Sequence, residues 1–148
     1  MTTSEEWIEK LKKFEGFRGK AYKCPAGVWT IGYGSTGKHV FEGAVIDERG
    51  AEALLREDLK KFENAVNDLF SKTRIGQHQF DALVDFAYNL GSGALRRSTL
   101  AKMILANPSN IKGIEAEFLK WTKAGGVVLP GLVKRREEEV RWYKRDLA

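Results

Sequence analysis

The chain has almost none of the residues that staple small folds. It holds one cysteine, Cys24, and two histidines, His39 and His78, in 148 residues. A single cysteine forms no internal disulfide, so folding does not depend on an oxidising compartment. Neither histidine has a cysteine or acid at ligand spacing, which argues against zinc, and neither a metal nor a cofactor is expected. Repeats and low-complexity tracts are absent, as is any apolar run near the ~20 residues needed to cross a bilayer. The segment MTTSEEWIEKLKKFEG lacks the apolar core of a signal peptide. The expectation is a monomer that accumulates in the cytoplasm without a membrane anchor.

Hydrophobic residues make up 43% and charged residues 30%, values that speak for a soluble globular chain and against disorder. A chain of this length buries roughly 70% of its unfolded surface, enough for one domain without staples. The net charge of +5 and pI near 9.3 attract polyanions, whether nucleic acid, anionic lipid or an acidic cell wall. Because the charges are spread over mixed-sign helices, no basic groove for nucleic acid can be read from them.

Hydrophobic spacing predicts the elements. Trp7, Ile8, Leu11 and Phe14 recur at helical intervals between a capping Ser4 and a stop at Gly16, which puts Glu15 at a helix end. From Phe17 to Phe41 glycines, aromatics and β-branched residues take over, and VWTIGYG alternates so that Trp29, Ile31 and Tyr33 face opposite to Val28 and Thr30. Asp47 then caps a long helix carrying Leu55, Leu59, Phe62, Val66 and Leu69. Further helical stripes run through Phe80–Leu90 to Gly91, through Ser98–Ala106 to Asn107-Pro108, through Ile111–Trp121 to Gly125-Gly126, and from Val133 to Leu147. The architecture reads as α+β. A small β-region over about 15–55 is joined by the long helix to a mainly helical lobe over about 60–148, against which helix 4–15 packs.

The candidate chemistry lies near the front. A carboxyl at a helix end flanked by Phe14 and Phe17 invites desolvation, which raises its pKa toward the range of a general acid; the competing reading is a solvated surface acid. Thr30, mid-strand, is explained by β-propensity alone unless its facing aims the hydroxyl at a cleft. Cys24 precedes Pro25 and reads as a turn position, where a merely buried thiol is less expected. Trp121, near Gly125-Gly126, serves either as a sugar platform or as a core residue. Glu137 and Glu138 are placed to pair with nearby cations such as Arg141 on a solvated helix face.

Together, EGFRGKAYKC-PAGVWTIGYG, FDALVDFAYNLG and WTKAGGVVLPGLVKRREEE are similar to the motifs of the phage-type lysozymes, the endolysins of glycoside hydrolase family 24, along nearly the whole chain. The resemblance implies a single lysozyme-like domain over 1–148. The implied activity is hydrolysis of the β-1,4 bond between N-acetylmuramic acid and N-acetylglucosamine in peptidoglycan, ending in host cell lysis. It makes Glu15 the general acid, with Cys24 and Thr30 assisting the water. Arg135 is implied beside Glu15, and Tyr88 and Asn89 against the sugar; with no acid at position 24, Asp85 on that same helix is the candidate for a substitute carboxylate. It also implies a separate holin that gives access from the host cytoplasm to the wall in the periplasm.

Two positions depart from the family pattern. Most of the better-known members place aspartate where Cys24 stands, a subgroup sharing the cysteine, and this keeps a lytic transglycosylase or a non-catalytic peptidoglycan-binding module as alternatives. Some relatives place histidine where Ser35 stands, so a polar partner at the lobe junction is expected to be missing.

Overall fold

The structure is a computed structural model that describes residues 1–147. It comprises two units: Glu5–Lys61, and Met1–Ser4 together with the chain from Phe62 onward.

The first unit opens with α1 (Glu5–Glu15), whose Trp7, Ile8 and Leu11 are buried. The Gly16 N–H closes it on the Lys12 carbonyl at 2.8 Å. Strands β1 (Arg18–Lys23) and β2 (Trp29–Gly32) pair antiparallel, Tyr22 opposite Thr30 and Lys23 opposite Trp29. Alternation along the strands sends Ala21 and Ile31 into a small core with Val40, flanked by Trp29, Ala44, Ile46 and Leu54.

The long helix α2 (Glu48–Leu69) starts where expected, the Asp47 carboxylate accepting the Gly50 N–H at 2.8 Å. Lys12 pairs with Glu52, and Arg56 donates to both carboxylate oxygens of Glu5 at 2.8 and 2.5 Å. These pairs tie α1 to α2 within the Glu5–Lys61 unit. Ser35 corrects an expectation: 1% exposed, it donates its hydroxyl to Asp58 on α2 at 2.6 Å, so this position keeps a polar partner.

The second unit is built on α3 (Gln77–Leu90), α4 (Ser92–Arg97), α5 (Thr99–Ala106), α6 (Ile111–Phe118) and α7 (Pro130–Lys144), followed by a 3-10 turn at Arg145–Leu147. Phe80, Leu83, Val84 and Ala87 are fully buried, as their spacing predicts. Ser98 caps α5 by accepting the Ala101 N–H at 3.0 Å.

The sequence missed α4, whose six residues SGALRR carry no apolar stripe. It also extended the helix beginning at Ile111 too far. That helix ends at Phe118, and the chain then forms a hairpin of β3 (Lys123–Ala124) and β4 (Val127–Val128). Gly125 and Gly126 make its turn at φ 58° and 79°, the doubly left-handed backbone that two-residue hairpins require and glycine supplies.

The first residues are tied down in this unit. Thr3 donates its N–H and hydroxyl to Glu63 at 2.7 and 2.6 Å, and Ser4 donates the same pair of groups to Asp81 at 2.9 and 2.5 Å. No helix among the described residues is long and apolar enough to cross a membrane.

Candidate active site

Cys24 sits in the connection between β1 and β2. The Gly27 N–H donates to the Cys24 carbonyl at 2.8 Å and the Cys24 N–H to the Val28 carbonyl at 3.0 Å. Pro25, Ala26 and Gly27 thus form a three-residue loop, with Gly27 at φ 79° absorbing the left-handed position. The half-buried thiol stands at the start of this turn. The Val28 and then the Ala26 N–H pull its pKa below the ordinary value; burial opposes them, and the Thr30 hydroxyl adds a smaller pull in the same direction. Amides that favour the anion are the structural basis of a reactive thiol.

Thr30 is 5% exposed, and its hydroxyl donates to the Val28 carbonyl at 3.0 Å. It faces away from the Ala21–Ile31 core, as the alternation predicts, but it is not an open hydroxyl. The residue is fastened to the turn that carries the sulfur, and the two sequence candidates therefore share Val28 as a partner.

Glu15 is the last residue of α1 and half-buried, separated from β1 only by Gly16 and Phe17. Aromatics flank it on both sides in sequence. Phe14 packs on Trp7 with centroids 6.2 Å apart, and Phe17 packs on Tyr33 at 5.7 Å. Glu15, Cys24 and Thr30 all belong to the Glu5–Lys61 unit.

The remaining candidates lie in the other unit. Asp85 is fully buried and accepts Nε and Nη2 of Arg135, each at 2.9 Å. Burial alone would raise its carboxyl, but the charge of Arg135, then a hydrogen bond with Glu139, overcome this and hold it at about 2. A carboxylate so enclosed and paired cannot replace a base at the sugar, which corrects the role the sequence suggested for it.

Arg136 and Glu139, which sequence reasoning left unassigned, complete the cluster. Arg136 Nε lies 2.7 Å from one Glu139 oxygen, and Nη2 donates at 2.9 Å to the other and at 2.8 Å to Asn89 Oδ1. Burial, followed by the neighbouring Asp85, pushes Glu139 well above the usual carboxyl range despite the pull of both arginines. Asn89 is half-buried with its oxygen occupied, while Tyr88 stacks edge-on against Phe62 at 5.4 Å. Trp121 packs against Phe86 at 5.4 Å, and Glu138 pairs with Arg141 at 3.2 Å. Among the described residues no group of three His, Cys, Asp or Glu could hold a metal ion.

The family model for phage lysozyme matches residues 12–139. The chain belongs to that family. An endolysin of Bacillus phage B103 is 49% identical over 141 residues, which are 94% of this chain and 52% of that protein; the chain thus spans about half the length of this relative. An endolysin of Acyrthosiphon pisum secondary endosymbiont phage 1 is 41% identical over 143 residues, covering 94% of this chain and 95% of the relative. Among solved structures, an endolysin from Escherichia coli O157:H7 phage FAHEc1 superposes with a TM-score of 0.87 at 37% identity, covering 97% of this chain and 93% of that one.

Proposed function

We propose that the chain is a peptidoglycan-cleaving endolysin whose two units make one lysozyme domain. Glu15 gives its proton to the glycosidic oxygen as the bond between muramic acid and glucosamine breaks. Water attacks the opposite face of the developing oxocarbenium ion and passes its proton to the Cys24 sulfur, steadied by Thr30. The observation that carries the reading is the turn at residues 24–28, which holds a half-buried thiol of lowered pKa at the place of the family's second carboxylate. An anionic sulfur can take up a proton as the sugar becomes cationic, the task of the second acid in two-carboxylate glycosidases.

Turbidity clearing of permeabilised Gram-negative cells tests the assignment. Wild type clears, and Glu15→Gln loses at least a hundredfold in rate with its fold intact by circular dichroism. Equal clearing by the two proteins would remove Glu15 from the chemistry; negligible clearing by both would leave a wall-binding module.

The thiol at position 24 also favours one second reading, a transglycosylase that needs no base there. Mass spectrometry of the products separates the two, since hydrolysis leaves reducing ends and intramolecular attack leaves 1,6-anhydro ends. The same proposal includes a monomer released by a separate holin. Light scattering and expression with and without a membrane-permeabilising protein check these parts.

A further inference from the structure

The hairpin between α6 and α7 takes no part in the chemistry proposed above, yet it is the most apolar exposed feature of the helical unit. Val127 is 61% exposed, Val128 51% and Leu129 40%. Val127 and Val128 are consecutive in β4 and so point to opposite faces of the two-stranded ribbon. A ribbon whose neighbouring side chains are both open has solvent on both faces. A flat glycan or protein surface would cover only one of them, whereas a medium that surrounds the tip covers both.

Along the chain the charges that flank this tip have one sign. From Leu119 to Arg136 the chain contains no aspartate or glutamate. Lys123 is exposed on β3 directly opposite Val128, and Lys134 is exposed on α7 just beyond Leu129. Lys120 is also exposed but is paired with Glu117 at 2.6 Å. The turn itself is Gly125 and Gly126, with no polar side chain. Aliphatic tip and cationic base match the two layers of an anionic bilayer surface, because lysine stems lie along apolar material while their ammonium groups reach the phosphates.

We infer that the β3–β4 hairpin is a membrane-docking element that seats Val127, Val128 and Leu129 in the interfacial layer of an anionic bilayer, with Lys123 and Lys134 on its headgroups. The contact is weak and reversible, because the burial of only three aliphatic side chains must also offset the cost of ordering them. It concentrates the protein at the membrane surface.

Flotation with phosphatidylglycerol-containing and pure phosphatidylcholine vesicles tests this. Wild type floats with the anionic vesicles and at least tenfold less with the zwitterionic ones. Val127→Ser/Val128→Ser loses at least tenfold of the anionic binding, Lys123→Ala/Lys134→Ala loses a similar amount, and Val127→Trp gains. Clearing of permeabilised cells by the serine variant stays at the wild-type rate, which also shows that it folds.

Three outcomes overturn the inference. The first is absence of wild-type binding to anionic vesicles. The second is equal binding by wild type and the serine variant, which would leave only the diffuse net charge as the cause. The third is loss of clearing with unchanged vesicle binding, which would make the hairpin a wall contact.

Discussion

Position 24 exchanges a carboxylate for a thiol whose ordinary pKa, about 8.5, stands roughly four to five units above that of aspartate. The amides of Val28 and Ala26 narrow that gap. If the anion is the working form, activity rises as pH passes the lowered thiol value. Cys24→Asp then keeps activity and moves the ascending limb of the pH–rate profile several units toward acid. Cys24→Ala loses at least tenfold in kcat with little change in KM, and thiol alkylation inhibits the wild type. Superimposable wild-type and Cys24→Asp profiles would place that limb elsewhere.

The buried acids predict opposite pH effects on stability. Asp85 titrates at about 2, below its reference value of 3.8, so its contribution is complete above about 4 and is lost as pH falls through 2. Glu139 is raised above its reference of 4.5; its contribution is complete below that value and is lost as pH rises through the folded one. Glu139→Gln therefore melts no lower than wild type near neutral pH and shows a flatter dependence above 4.5. Asp85→Ala strands the Arg135 guanidinium in the interior and costs about 3–5 kcal/mol at pH 7, measured by urea unfolding.

At the scale of elements, short turns decide much of the outcome. A β-carbon on Gly27 would meet nothing within 4 Å, so Gly27→Ala is penalised by its left-handed backbone alone, about 1–2 kcal/mol. Ser98→Ala removes the cap of α5 and costs about 1 kcal/mol. Chemical denaturation of both variants checks these values.

The same contrast between local and distant determinants explains what could be read in advance. The ends of α1, α2 and α5 were legible because Gly16, Asp47 and Ser98 act within four residues of their own position. The facing of Thr30, away from the core that holds Ile31, followed from strand alternation. Asp85 was misread because helical spacing places it on a face, while only folding brings Arg135 from fifty residues away. The β3–β4 hairpin was missed because its two-residue strands are too short to show a period of two, and Trp121 continued the helical one.

At the scale of the whole molecule, net charge governs encounter with an acidic wall. Raising ionic strength from about 0.01 to 0.15 M shortens the Debye length from roughly 30 to 8 Å, so the initial clearing rate falls over that range. A rate indifferent to salt would exclude electrostatic steering.

The helical unit is discontinuous in sequence, and synthesis must contend with that. Thr3 meets Glu63 sixty positions downstream, and Ser4 meets Asp81 seventy-seven positions downstream. A ribosome therefore emits Thr3 and Ser4 long before their docking sites exist, and they wait while Glu5–Lys61 is produced between. Nascent chains arrested before residue 81 has emerged keep Thr3 and Ser4 open to protease, and longer ones bury them. Completion of the later helices thus recruits residues made well before them.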